Sequence, residues 1–258
     1  MPKVITVANQ KGGCAKTTTT ANLGAALAMS GKTVLVIDLD PQANLSLGFG
    51  YELGEDELSS YHLITGRAPL NDVIRRTDIN DLYVVPSAIE LSGAEIELTQ
   101  AIAGEKKLYN VLKKSNLAAF DYIIIDTPPF FSNVLTNGLS TSQVVLIPVE
   151  LRRYGIAGLR QLLGIIEAVK EGVNEDLDSW YILPVMTDLR QKEDREVLEF
   201  LKNHYDTHVL KTNIKRNIKV AEAVKEAMPV VAIDKNCPGS LAYIELATEI
   251  EGVLNNVS

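Results

Sequence analysis

The residues most able to do chemistry lie in the segment KGGCAKTT, at positions 11–18. An apolar, β-branched run at positions 4–7 precedes it, and residues 21–29 continue with helical spacing, so the pattern predicts strand, glycine turn and helix. At such a junction the backbone N–H groups and the positive end of the helix point at one place, which suits a phosphate chain. We expect Lys16 to reach the β- and γ-phosphates of a nucleotide and the Thr17 hydroxyl to ligate Mg²⁺. The predicted cradle consists of Gly12, Gly13, Cys14, Ala15, Lys16, Thr17 and Thr18.

The strict phosphate-loop pattern G-x-x-x-x-G-K-[ST] is not met, because Gln10 and Ala15 occupy the two glycine positions. The pattern present, K-G-G-x-x-K-T, resembles the deviant Walker A loop of the ParA/MinD superfamily of dimeric ATPases, in particular the ParA/Soj-type partition ATPases. The resemblance implies ATP and Mg²⁺ as cofactors and a homodimer with ATP sandwiched between its subunits, in which Lys11 crosses to the partner's nucleotide. Cys14 and Ala15 occupy the two positions at which that superfamily more commonly has Val-Gly. We expect Ala15 to tolerate a helical conformation and the loop to survive.

The composition predicts one globular α/β domain spanning residues 1–258. Of the 258 residues, 46% are hydrophobic and 22% charged, and the net charge is −8. Any nucleic-acid contact must therefore come from a local basic patch. The two cysteines have neither metal nor disulfide spacing, and no apolar run approaches the ~18 residues of a membrane span. We expect a cytoplasmic protein without a membrane partner.

Short apolar runs alternate with helical segments along the whole chain. Strands are predicted at residues 33–37, 82–86, 121–126, 144–149, 181–186 and 208–210, and helices at 88–103, 108–114, 155–169, 193–203, 218–226 and 241–254. The polar segment 44–61 is expected to hold short helices at best. Alternation of this kind favours a single doubly wound, mostly parallel sheet with helices on both faces.

Three carboxylates come at or just after the ends of apolar strands, where an open parallel sheet binds its ligands. Asp126 is the candidate for the carboxylate beside Mg²⁺ that orients its water shell. Asp38 and Asp40 occupy alternate positions of one strand end and are expected to face the γ-phosphate. In the resembling family the second Asp of D-x-D-P-Q positions the attacking water, which implies this role for Asp40, with Asp38 nearer the metal.

Two further sets of site residues follow from the resemblance. Adenine is expected against the turns after the late strands, at Met186, Asp188, Asn213, Ile214 and Lys215. Basic residues in the last third of the chain are expected to bind DNA through its phosphates without sequence preference. They are Arg190, Lys211, Arg216 and Lys219.

Two functions remain open. The first is an ATPase that dimerises over ATP, binds nonspecific DNA of the nucleoid and positions a cargo such as a plasmid, a chromosome origin or a protein organelle. A ParB-like or other adaptor would stimulate its hydrolysis. The second is a metabolic P-loop enzyme without DNA binding, such as a small-molecule ligase or a nitrogenase iron-protein relative. The chain starts with its first strand, so no N-terminal helix-turn-helix domain is expected, and the acidic last helix disfavours membrane targeting.

Overall fold

The core of the fold is one eight-stranded sheet in the order β3-β4-β2-β5-β1-β6-β7-β8. The computed structural model describes residues 1–223 and 226–256. Seven strands run parallel, and β3 pairs antiparallel with β4 at one edge. The strands are β1 Lys3–Val7, β2 Val34–Asp38, β3 Arg75–Arg76, β4 Leu82–Val85, β5 Tyr122–Asp126, β6 Val144–Glu150, β7 Ser179–Thr187 and β8 Ile214–Lys215.

Helices cover both faces of this sheet, as predicted. They are α1 Lys16–Met29, α2 Asn44–Leu47, α3 Ser60–Ile64, α4 Leu70–Val73, α5 Ala94–Gln100, α6 Lys107–Lys114, α7 Asn133–Leu139, α8 Arg153–Gly172, α9 Lys192–Tyr205, α10 Ile218–Ala223, α11 Val230–Ile233 and α12 Pro238–Asn256. Short 3₁₀ helices span Ile89–Gly93, Gly104–Lys106 and Asp206–His208.

The central strands are apolar on both sides because each side faces a separate layer of helices. In β2, Val34 and Val36 pack into the cluster that contains α1 and α12, whereas Leu35 and Ile37 pack into the cluster on the opposite face. Successive strand residues point to opposite faces, so both layers need apolar partners. This double burial produces the continuous apolar runs seen in the sequence.

Helix α1 lies unusually close to the sheet. A Cβ on Gly24 would come within 2.9 Å of Val36 Cγ1, so glycine is required for this approach. The same helix begins at Lys16, directly after the loop that follows β1. Close packing of α1 on β2 therefore fixes the direction of the helix N-terminus relative to the strand ends.

The secondary structure differs from the predicted elements in some places. Residues 208–210 do not form a strand, because only an isolated bridge joins Val209 to Ile182, and the edge strand is β8 instead. The predicted helix 218–226 is described as far as Ala223, and residues 224 and 225 lie outside the described residues. Helix α7 was not predicted, although Ser132 is a recognisable N-cap whose hydroxyl accepts the N–H of Leu135.

Candidate nucleotide site

The loop between β1 and α1 has the shape expected of a phosphate cradle. It leaves β1, the sheet's central strand between β5 and β6, where parallel sheets bind ligands. Gly13 has φ +72°, a conformation that suits glycine. Ala15 is left-handed too, with φ 62° and ψ 26°, so the expectation of an ordinary helical backbone is wrong at this residue. Its Cβ costs about 1 kcal/mol there, and the helix nevertheless begins at the next residue.

The two lysines of the loop lie in different places. Lys16 is 7% exposed and lines a cavity of about 410 Å³ together with the predicted loop residues. Its Nζ lies 3.4 Å from the carbonyl oxygen of Lys11. Lys11 does not line that cavity, and its Nζ contacts Glu150 Oε2 at 2.5 Å instead. Of the two lysines, Lys16 is therefore the one that lines the cavity of its own loop.

Cys14, between the two lysines, is almost fully buried. Its thiol donates to the carbonyl oxygen of Lys11 at 3.0 Å, and burial raises the pKa of this thiol. The hydrogen bond and the burial of the thiol indicate that Cys14 helps to shape the turn.

The carboxylates Asp38 and Asp126 are adjacent in register and fully buried at the ends of β2 and β5. The Thr17 hydroxyl donates to Asp126 Oδ2 at 2.7 Å. Burial raises the pKa of Asp126, and the nearby charge of Asp38 raises it further. Burial also raises the pKa of Asp38, although hydrogen bonds from Ser46 oppose that shift. Two buried carboxylates beside one hydroxyl favour a bound cation.

This oxygen-rich donor set fits Mg²⁺, which binds proteins through one or two carboxylates together with substrate phosphates and water. Among the described residues, no group of three or more His, Cys, Asp or Glu side chains could hold a metal by itself. Thr17 and Asp126, which were predicted as ligands, would hold Mg²⁺ here, and the ion would supply charge neutralisation to the phosphates.

Asp38 and Asp40 differ in their surroundings. Asp38 accepts the backbone N–H groups of Asp40 and Ser46 and the Ser46 hydroxyl, at 3.0, 2.9 and 2.7 Å, so the loop after β2 encloses its carboxylate. Asp40 lines the cradle cavity with Lys16, and its Oδ1 accepts the N–H of Gln42 at 2.9 Å. Of these two carboxylates, Asp40 is thus the one that borders the nucleotide cavity.

The far wall of the cradle cavity is apolar. It is formed by residues that sequence reasoning did not identify, namely Val220, Ala223, Met228, Pro229 and Val230. Of the residues predicted to contact adenine, Met186 lines this cavity. Ile214 packs into the core, and Asn213 accepts a hydrogen bond from the Thr187 hydroxyl at 3.1 Å. The sequence pointed to this wall only through the short apolar run that includes a proline at residues 228–231.

Asp188 and Lys215 line a second cavity, of about 630 Å³, together with Arg190 and Arg216. Residues predicted to contact adenine and residues predicted to contact DNA therefore line the same cavity. Arg190 pairs with Asp188 at 2.8 Å, which holds the pKa of that carboxyl well below its usual range. Arg216 lies 3.5 Å from Glu150 Oε1. These cations are exposed, but each already has a carboxylate neighbour.

The remaining two predicted DNA contacts lie near the last helices. Lys219 forms an ion pair with Asp234, and the backbone N–H of Lys211 donates to Glu249 of α12 at 2.7 Å. Lys211 and Lys219 are both exposed. The predicted basic residues are therefore spread over several elements. Arg190 and Arg216 follow β7 and β8, Lys219 lies in α10, and Lys211 precedes β8.

Comparison with known proteins places the chain among ATPases. A family profile described as an AAA domain matches residues 2–179. The chain is 40% identical to the sporulation initiation inhibitor protein Soj of Bacillus subtilis, covering 97% of this chain and 98% of the relative. It is 37% identical to the chromosome-partitioning ATPase Soj of Treponema pallidum, covering 97% of each.

A solved structure of similar fold holds an adenine nucleotide and magnesium. Cobyrinic acid a,c-diamide synthase from Mycobacterium smegmatis, with bound ADP and magnesium, superposes with a TM-score of 0.83. It is 32% identical, and the match covers 96% of this chain and 93% of that one. The same enzyme has also been solved with an ATP analogue and magnesium, so the predicted cofactors, ATP and Mg²⁺, agree with what this relative binds.

The sheet, the loop and the buried carboxylates define a P-loop ATPase of the ParA/MinD type. With relatives at 37% and 40% identity over nearly their whole length, the chain belongs to the ParA/Soj family of partitioning ATPases. The predicted family, fold class and ATPase activity are confirmed. No helix among the described residues is both long and apolar enough to cross a membrane.

Proposed function

We propose that the chain is a single-domain ATPase that dimerises over two ATP–Mg²⁺ complexes and positions a cargo on nucleoid DNA in the cytoplasm. A ParB-like or other adaptor protein selects the cargo and stimulates hydrolysis. The position of Lys11 carries this proposal, because its ammonium pairs with Glu150 outside the cavity that Lys16 lines. A lysine so placed is available to the nucleotide of a neighbouring subunit.

The geometry of one site supports a role for each of its residues. Gly12, Gly13, Cys14, Ala15 and Thr18 shape the cradle, and Lys16 binds the phosphates. Thr17 and Asp126 hold Mg²⁺, while Asp38 fixes the loop that presents Asp40 to the attacking water. Met186 contacts the base from the cavity wall. Phosphoryl transfer needs this kind of positioning and charge neutralisation more than covalent help.

The basic residues supply the DNA contact. Ion pairs between exposed side chains are worth about 0–1 kcal/mol, so a DNA phosphate can replace the carboxylate beside Arg190, Arg216 or Lys219. Two subunits would place two copies of these residues along one duplex. A protein with net charge −8 gains affinity for DNA by gathering its cations in this way.

A metabolic enzyme is the second candidate, favoured by the likeness to the diamide synthase. The discriminating experiment is binding to nonspecific duplex DNA at low salt, with and without ATP. ATP-dependent binding supports the partition function. A protein that binds and hydrolyses ATP but never binds DNA would favour the enzyme.

Lys11→Ala should leave nucleotide binding intact, because the lysine does not line its own cradle. The variant should lose ATP-dependent dimerisation, because Lys11 is proposed to contact the nucleotide of the neighbouring subunit. Light scattering should show a doubled mass for the wild type with ATP and a monomer for the variant. Lys32→Ala is the matched control, since Lys32 is similarly exposed and pairs with Glu251 at 3.1 Å. Equal doubling of all three proteins would reduce Lys11 to a local surface charge.

Arg216→Ala should weaken binding to all duplexes alike and reduce the log–log salt slope by about two for the dimer, one phosphate contact per subunit. ATP-dependent dimerisation should persist. Arg67→Ala serves as control, because Arg67 is an exposed arginine that pairs with Glu97 at 3.0 Å. If Arg216→Ala and Arg190→Ala both keep the wild-type affinity and slope, the DNA surface lies elsewhere or does not exist.

A further inference from the structure

Glu150 ends β6 at a point where three cations meet. Its Oε2 contacts Lys11 Nζ at 2.5 Å, while its Oε1 lies 3.5 Å from Arg216 and 3.9 Å from Arg152. The hydrogen bond from Lys11 is the main reason why the pKa of Glu150 is lowered. The carboxylate is therefore ionised near neutral pH and acts as a shared counterion.

The three cations are not equally free to leave Glu150. Arg152 is anchored by the buried Asp194 at 3.0 Å and by Glu193 at 3.1 Å. Asp194 in turn accepts the backbone N–H of Asp188 at 2.7 Å, so this pair fixes the turn after β7. Lys11 and Arg216 extend from exposed loop positions and are the two cations that can exchange partners.

We propose that Glu150 is a restraining counterion that holds both Lys11 and Arg216, so that nucleotide-driven dimerisation and DNA binding each compete with the same carboxylate. This inference rests on the proposed function, which gives Lys11 a phosphate of the neighbouring subunit and Arg216 a phosphate of DNA. Each transfer breaks an ion pair with Glu150. Removing its charge should therefore favour both events.

Dimerisation is tested with Glu150→Gln, which keeps the shape of the side chain. We take each exposed pair to be worth about threefold in an equilibrium constant, which is within the usual range, so loss of the two pairs of a dimer should lower its dissociation constant by about tenfold at saturating ATP. Glu97→Gln is the charge-matched control, since Glu97 pairs with Arg67. An unchanged or a weaker dimer in Glu150→Gln would overturn the proposal, the latter because Glu150 would then position Lys11 rather than restrain it.

The DNA arm uses dimers formed with a non-hydrolysable ATP analogue, at protein concentrations where wild type and variant are fully dimeric. Glu150→Gln should bind duplex DNA about tenfold more tightly, from about threefold per subunit. The gain should vanish in the Arg216→Ala background, because the restrained cation is gone. A gain of the same size without Arg216 would show a general charge effect and contradict the pairing.

A third measurement does not need dimers. Acylation of Lys11 by a limiting amine-reactive reagent, followed by peptide mass spectrometry without nucleotide, should be faster in Glu150→Gln than in the wild type. Lys32 is the internal reference, because its partner Glu251 is unchanged. Equal acylation of Lys11 in both proteins would overturn the restraint. If the wild type fails to dimerise with ATP, the proposed function fails, while this comparison still decides the role of Glu150.

Discussion

Lys16→Ala should abolish ATP binding. Lys16 contributes the ammonium inside the cradle cavity, where it is nearly buried beside the loop backbone. Removing one partner of a desolvated, charge-assisted contact costs about 3 kcal/mol or more, which is at least a hundredfold in affinity. Isothermal titration with ATP and Mg²⁺ measures the loss.

The control for this result is Lys11→Ala, which removes a lysine five residues away without changing the cradle. It should bind ATP as the wild type does when both are monomeric. Circular dichroism should show the same fold in both variants, since Lys16 is 7% exposed and its loss removes a buried charge rather than a core side chain. Unchanged affinity in Lys16→Ala would refute the assignment of residues 11–18 as the phosphate cradle.

Asp40→Ala should retain ATP and lose hydrolysis, so that the dimer persists. Asp40 borders the cavity that Lys16 lines, whereas its backbone N–H and its loop are held by Asp38. A side chain that orients or deprotonates the attacking water contributes about 10²–10⁴ in rate. Phosphate release in a single turnover should therefore fall at least a hundredfold, with nucleotide affinity within a few fold of the wild type.

Asp40→Asn refines this prediction. The amide oxygen can still accept the Gln42 N–H that Asp40 accepts at 2.9 Å, so the loop should keep its shape while the negative charge is lost. Both variants should be slow if the charge is what positions the water. Turnover near the wild-type rate in Asp40→Ala would mean that another group orients the nucleophile. A fast Asp40→Asn beside a slow Asp40→Ala would show that an acceptor oxygen at this position is enough without the charge.

The residues of the proposed phosphate cradle could be picked out from the sequence because they lie close together in it. The glycines, Lys16 and Thr17 are contiguous, and strand, turn and helix follow from apolar spacing within 30 residues. Asp126 was recognisable because it closes an apolar run, and a parallel sheet brings strand ends together. Its contact with Thr17 at 2.7 Å across 109 residues agrees with that reasoning.

The left-handed backbone of Ala15 and the partners of the lysines were decided only by the tertiary structure. Ala15 takes φ 62° in the folded loop ahead of α1, and the residue types at positions 11–18 did not reveal this conformation. The apolar cavity wall around Met228 and Val230 forms where α11 packs on α1, about 200 residues later in the chain, and α10 packs on α11.

The chain's sequence by itself determined the fold class, the nucleotide chemistry and the family, because each depends on residue types at short spacing. Tertiary structure decided that Lys11 and Arg216, distant in sequence, share the carboxylate of Glu150. Ion pairs between exposed side chains depend on distances of a few ångströms between separate elements. Sequence spacing does not encode such distances, because they result from the packing of the whole sheet.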